Sequence, residues 1–286
     1  MSHSTLKASV IISIYQDVEA LHAILYALSR QIEQRFEVII AEDCECKAVR
    51  EYLAQHTFPF AINHLTQEDK GFRKTKAVNR AVAAAKTEYL MFLDGDCLPH
   101  SQYVAEHLNQ RENNRVCTGR RVHLGPTMSR WFRKNPSLIK LIENRLVYTL
   151  LGLPLVFDHT KNYEIGFRST TLHKRQAKKY LTIVGCNWSV SRADMLKING
   201  YNEDLPGVGG EDDDLGWRFN GKGIHEKSVK FVIPVYHLHH VERRADVSTN
   251  LQIIKQNTAQ KRYYCKNGVD KYLSETHENL NQTHKS

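Results

Sequence analysis

Four consecutive acids, Glu211, Asp212, Asp213 and Asp214, stand between the glycines of GVGG and Trp217. Adjacent carboxylates repel one another, so stability alone gives a chain little reason to build such a run. In the first turn of a helix they would meet the positive end of its dipole, and a row of acids on a surface helix is one reading. The other is catalytic. Gly207, Gly209 and Gly210 place no side chains before the acids, so the loop can close on a ligand and present one carboxylate to it. A general base must come within about 3 Å of the proton it removes, and neighbouring acids raise its affinity for that proton.

Three more segments carry chemistry. In FLDGDC, Asp94 and Asp96 follow an apolar strand; on a continuing strand they would diverge, and Gly95 permits a turn that re-aims them. Two carboxylates beside a turn suit a hard divalent cation carrying phosphate oxygens, although Asp-Gly turns are common at strand ends without one. EDKGFRKTKAVNR gathers Lys70, Arg73, Lys74, Lys76 and Arg80 around Gly71 and the start of a helix. Free amides and cations there suit a diphosphate, while a solvated basic helix face has the same composition. VYHLHH places His237 and His239 on one face of a strand and His240 in the turn beyond. A neutral imidazole completing a two-carboxylate site fits manganese and similar ions. With fifteen histidines in the chain, a chance cluster beside an edge strand is the competing reading.

The elements that must hold these residues alternate in type. Strands are expected at Ala8–Tyr15, Phe36–Ala41, Phe60–Leu65 and Glu88–Leu93, with helices at Asp17–Arg30, Ala48–Gln55 and Lys76–Lys86 between them. This repetition predicts a mainly parallel sheet covered by helices, with ligands at the carboxyl ends of its strands, where Asp43, Asp94 and Asp96 fall. The second half is less regular: a strand over Thr182–Ser191, a helix over Asp212–Asn220, a strand over Lys230–Leu238 in which Pro234 suggests an edge, and a final helix from Ser248 or Thr249 to about Cys265. One domain is expected over 1–272, with a nucleotide-binding half at 8–100, an acceptor and catalytic half at 101–243 containing an insert at 120–182, a C-terminal helix within 244–272, and a polar tail at 273–286.

In their order and spacing these segments resemble a known family. ASVIISIY, IIAEDC, QEDKGFRKTKAVNRA, FLDGDCLP, VGCNWSVSRADMLKINGYNE, GVGGEDDDLGWR and a histidine after the last strand are similar to family-2 glycosyltransferases of the GT-A fold. The later half is similar to the β-1,4-galactosyltransferase and bacterial chondroitin-polymerase type. The resemblance implies an inverting transfer from a nucleotide-diphosphate sugar, usually UDP-linked, to a hydroxyl of a glycan or glycolipid acceptor, with Mn2+ or Mg2+ as cofactor. It implies Asp212 as base with Glu211 beside it, and Asp43, Ile14, Tyr15, Asp69, Gly71 and Arg73 around the nucleotide. It implies Asp94 and Asp96 as the DxD pair, Asp96 being the main metal ligand, with His237 or His240 completing the coordination. Asp213, Trp188 and Trp217 are then candidates for the acceptor, the tryptophans by stacking on sugar rings. Two departures stand out. Ser13-Ile14-Tyr15-Gln16 replaces the Pro-Thr-Tyr-Asn of many relatives, and Val208 stands where galactosyltransferases carry tryptophan, which opens the identity of the donor sugar.

Composition narrows the partners. The chain has 286 residues and a net charge of +9, which favours anionic partners. Its aromatics are not interleaved with its cations, which argues against a nucleic-acid platform. SLIKLIENRLVYTLL (137–151) is apolar on more than one side and flanked by cations, as an interfacial helix meeting anionic lipid would be; an ordinary core helix is the alternative. No run approaches the ~20 apolar residues of a membrane span, and six scattered cysteines read as reduced thiols. A cytoplasmic protein, peripheral at most, is expected, serving bacterial surface polysaccharide or lipopolysaccharide synthesis. A nucleotidyltransferase would want a glycine-rich basic loop where SIYQDVEAL stands. A calcium-dependent carbohydrate-binding protein would leave the βα repeat and the EDKGFR block without a purpose.

Overall fold

Along the first strand, β1 (Ala8–Ile14), apolar residues point to both sides, so both faces must be covered. Helix α1 (Val18–Ser29) covers one. Asp17 caps it, accepting from the Ala20 amide at 3.0 Å, and Leu21, Ile24, Leu25 and Leu28 are buried against Val10, Ile12 and Ile14. Each such burial contributes roughly 1.5–3 kcal/mol. After β2 (Phe36–Glu42), α2 (Lys47–Gln55) and β3 (Ile62–Leu65), helix α3 (Lys74–Ala84) covers the other face, setting Ala77, Val78, Ala81 and Val82 against Ile11 and Ile39. The two faces of the sheet thus own separate cores.

The chain continues through β4 (Tyr89–Asp94), β5 (Cys97–Pro99), α4 (Tyr103–Gln110), β6 (Arg115–Thr118) and β7 (Arg121–His123). Short helices follow: α5 (Pro126–Lys134), α6 (Ile139–Glu143), α7 (Arg145–Leu150), α8 (Gly152–Phe157) and α9 (Thr170–Gln176). The last elements are β8 (Trp188–Ser191), α10 (Arg192–Lys197), α11 (Glu211–Gly221), β9 (His225–Ser228), β10 (Val235–His237) and α12 (Ser248–Ala259). The structure is a computed structural model, and it describes residues 5–177, 180–241 and 247–273. Apart from Leu273, the expected polar tail lies outside them, as do Lys178, Lys179 and 242–246.

The large sheet has the order β3-β2-β1-β4-β8-β6-β9 and the small one β5-β10-β7. In the large sheet only the two pairs made by β8 are antiparallel, so it is mainly parallel, as expected. Because β2 and β4 flank β1, the strand order reverses at β1, and Ser13 lies in register with Asp94 at that crevice.

Several boundaries differ from expectation. The third strand begins at Ile62, and the run 182–191 becomes a strand only from Trp188, because Val184–Asn187 makes a turn closed by the Asn187 amide on Val184 O. Phe231, at φ 70°, and Pro234 confine the last strand to Val235–His237. Segment 137–151 is not one helix: the Asn144 side chain takes the amides of Leu146 and Val147, ending α6 and starting α7. Helix α12 stops at Ala259, before Lys261 at φ 50°.

Candidate active site

The crevice is tight at its floor. A Cβ on Gly95 would lie 2.7 Å from the carbonyl oxygen of Ser13 and 2.9 Å from Ile14, so only glycine lets the Asp94–Asp96 turn sit on β1. Asp94 accepts from Ser13 Oγ at 3.2 Å and from Lys74 Nζ at 2.5 Å, and Arg121 stands 3.7 Å away. Asp96 points elsewhere. Its Oδ2 is 3.3 Å from His237 Nε2 and 3.2 Å from His240 Nε2, and the two imidazole nitrogens are 3.3 Å apart. Burial would raise the Asp96 carboxyl, but the hydrogen bonds to His237 and His240 outweigh it and hold the group well below its ordinary range. His240, bonded to Asp96, is raised.

This triangle tests whether a metal fits. Adjacent ligand atoms about 2.2 Å from one octahedral ion lie roughly 3.1 Å apart, close to the observed edges. Two imidazoles and one carboxylate on a single face suit manganese-like ions, so Asp96, His237 and His240 fit the group. The sequence left one histidine to be chosen and paired Asp94 with Asp96; the structure brings both histidines to Asp96, while Asp94 meets Lys74. His239 is not part of this group; its backbone amide donates to Ser129 Oγ at 2.7 Å.

Across the crevice, Gly210 at φ 88° starts α11 and spreads the four acids over different directions. Asp214 is fully buried in an ion pair with Arg218 at 2.7 Å, and Arg218 also donates to the carbonyls of Ile198 and Gly200. Asp213 is exposed. Asp212 Oδ2 accepts from the Gly185 amide at 2.7 Å, while its Oδ1, buried, has no hydrogen-bond partner among the described residues. Burial pushes this carboxyl up to about 7; Lys74 opposes the shift, and Glu211 and Asp94 add to it. A Cβ on Gly185 would sit 3.2 Å from Lys74 Nζ and 3.3 Å from both Asp212 oxygens. The lysine therefore lies between Asp94 and Asp212. Burial works against its charge, yet Asp94 and the acids of α11 hold the ammonium well above its usual range.

The nucleotide-side candidates gather on the β1–β2 side. Asp43 takes Gln67 Nε2 on one oxygen and the Arg73 amide on the other, both at 2.6 Å, and burial raises its carboxyl. Tyr15 donates to Asp69 at 3.0 Å, and Arg73 reaches the carbonyl of Glu68. Gly71 has φ 77° and open space around it. Ile14 is a correction: its side chain is buried under Gly95 and offers a base no face. Trp188 is another. Its indole is fully buried, stacked 3.9 Å from Phe92, because β8 lies inside the sheet rather than at its rim. Trp217 stays half-buried beside Tyr263, one helical turn from Asp213 and on the same stripe.

Sequence reasoning missed Lys74 as a site residue, counting it only among the cations of its block, and missed Arg121 and Gly185. Lys74 at the first position of a helix following a glycine loop was the available signal. Arg121 carried none, since it reaches Asp94 only through the pairing of β7 with β10.

Residues 9–193 match glycosyl transferase family 2, which is most of the chain. The chain belongs to glycosyl transferase family 2. Residues 168–241 of this family-2 chain also match the N-terminal domain of galactosyltransferase, a stretch that holds Asp212 and both site histidines. It is 26% identical over 234 residues to validoxylamine A glucosyltransferase of Streptomyces hygroscopicus subsp. jinggangensis, covering 76% of this chain and 52% of that one. To chondroitin synthase of Escherichia coli it is 22% identical over 260 residues, covering 87% of this chain and 38% of that one. The chain thus spans about half or less of the length of these curated relatives. A mannosyltransferase from Pyrobaculum calidifontis, solved with GDP-Man and Mn2+, superposes with a TM-score of 0.55 at 14% identity, over 91% of this chain and 64% of that one. Staphylococcus aureus TarS gives 0.53 at 13%, over 93% and 41%. The fold is GT-A: mixed α/β around one central sheet.

Proposed function

We propose that this family-2 glycosyltransferase moves a sugar from a nucleotide-diphosphate sugar, UDP-linked, to a hydroxyl of a glycan or glycolipid, with inversion, in assembly of a bacterial surface polysaccharide or lipopolysaccharide. The observation that carries the reading is Asp212 Oδ1: a buried carboxylate oxygen without a partner among the described residues, on a group that burial pushes up to about 7. The Gly185 amide fixes the other oxygen, so the free one keeps its direction. It takes the acceptor hydroxyl's proton as that oxygen bonds to the anomeric carbon. The carbon's bond to the diphosphate oxygen breaks on the opposite face, and the electron pair leaves with the diphosphate.

Asp96, His237 and His240 would hold Mn2+ or Mg2+, which supplies charge neutralisation to the leaving diphosphate. Lys74 and Arg121, beside Asp94, are the chain's own cations at that place, and the base side needs no second acid. Asp43, Tyr15, Asp69 and Arg73 form the nucleotide side, and Asp213 and Trp217 face the acceptor. Val208 precedes the paired glycines, so the donor sugar is to be found by experiment. Hydrolysis of a panel of nucleotide sugars with manganese identifies the donor; no turnover of any of them, with nucleotide binding absent, would overturn the reading.

A further inference from the structure

Segment 126–157 has apolar side chains on two sides. One side is core: Phe132, Ile139, Ile142, Tyr148 and Leu155 are buried with α1 and the sheet. The other faces out. Leu146, Leu150, Leu153 and Phe157 are 69%, 72%, 73% and 80% exposed, and Trp131 and Val156 are exposed with them. Isolated exposed leucines need no explanation, but a cluster confined to one insert does.

The charges of the same segment have one sign at the surface. Its single acid, Glu143, is taken by Arg30 at 2.9 Å and by the Ser101 amide. The exposed ionisable residues are Arg130, Lys134, Lys140 and Arg145, and none of the four is in an ion pair among the described residues. Exposed aliphatic and aromatic groups interspersed along one segment with cations unpaired among the described residues match the boundary of an anionic bilayer, where chains take the apolar groups and headgroups the cations. A second copy of this face would bring the same four cations against each other, which disfavours a self-interface. Helices α6, α7 and α8 have five or six residues each, about 8–9 Å long, so they can lie in the interface but not cross it. Among the described residues no helix is long and apolar enough to span a membrane.

We propose that segment 126–157 is a docking surface for anionic lipid bilayers. Its place in the fold gives the docking a use. Helix α5 follows directly from β7, the Leu124 amide donates to His237 O at 2.9 Å, and Ser129 on α5 receives the His239 amide. The insert is therefore tied to β10, which carries His237, and docking holds the crevice close to the headgroups, where a lipid-linked hydroxyl would be. That last step rests on the transferase reading; the docking itself does not.

The test is co-sedimentation of the full chain with phosphatidylglycerol/phosphatidylcholine vesicles and with phosphatidylcholine alone. Binding to the anionic vesicles is expected, weakening about tenfold or more between about 0.05 and 0.5 M salt. Leu150→Ser/Leu153→Ser/Phe157→Ser and, separately, Lys134→Glu/Lys140→Glu/Arg145→Glu should each lower it by at least about tenfold. All six positions are exposed, and unchanged melting together with unchanged nucleotide-sugar hydrolysis shows that fold and crevice survive. Equal binding to neutral and anionic vesicles, wild-type binding by both variants, or a concentration-dependent dimer abolished by the same substitutions would overturn the proposal.

Discussion

The two walls of the crevice use the same functional group in opposite ways. On one wall Asp96 is held well below the ordinary carboxylate range by two imidazoles; on the other Asp212 is raised to about 7 by burial. An aspartate beside hydrogen-bonding imidazoles keeps its charge. One packed against Gly185, with one oxygen lacking a partner among the described residues, holds a proton more readily. Surroundings, not residue type, divide the labour.

The largest expected effect breaks the base wall alone. Asp212→Asn should lower kcat by about 10³-fold or more while leaving Mn2+ and nucleotide affinity, measured calorimetrically, within error; near-normal turnover would remove Asp212 from the chemistry. The same change has a stability signature. The folded carboxyl binds its proton more tightly than an unfolded one near 3.9, so its contribution is fully present below that value and is lost as pH rises through about 7. Asp212→Asn should therefore raise the melting temperature more at pH 8 than at pH 5.

Next comes the footing of that wall. Asp214→Ala leaves the buried Arg218 guanidinium unpaired and should cost about 3–5 kcal/mol in urea unfolding. A loss no larger than that of a surface substitution would mean Arg218 escapes to water.

On the opposite wall, His237→Ala and His240→Ala should each weaken Mn2+ binding by about 100-fold or more, with the pH profile of kcat intact at saturating metal. If only one of them does so, the three-residue triangle is not the metal-binding unit. The smallest effect lies between the walls. Lys74 holds the Asp212 carboxyl down, so Lys74→Met should shift the acid limb of the activity profile towards higher pH. A shift towards lower pH would contradict that geometry.

The same contrasts separate what the sequence makes legible from what only folding decides. The β1–β4 frame was legible because strands buried on both faces are apolar runs and because Leu21, Ile24, Leu25 and Leu28 keep helical spacing. That Asp96 and Asp212 would both stand at the crevice was legible through motif and neighbouring glycines. Lys74 was hidden in a block of five cations, and only the fold selects which one faces Asp94. Trp188 belongs to the core rather than the acceptor side, and a tryptophan within a strand reads alike in sequence whether that strand is central or at a rim. Segment 137–151 looked like one helix because apolar spacing runs across Asn144, whose capping role appears only once the chain bends there.

A Cβ at Gly209 would lie 2.6 Å from Val247, and Asn250 on α12 donates to Gly209 O at 2.6 Å. The turn that aims Asp212 is thus braced by residues made some forty positions later. The direction of that carboxylate is therefore a long-range property of the chain, set as much by α12 as by the acidic helix itself.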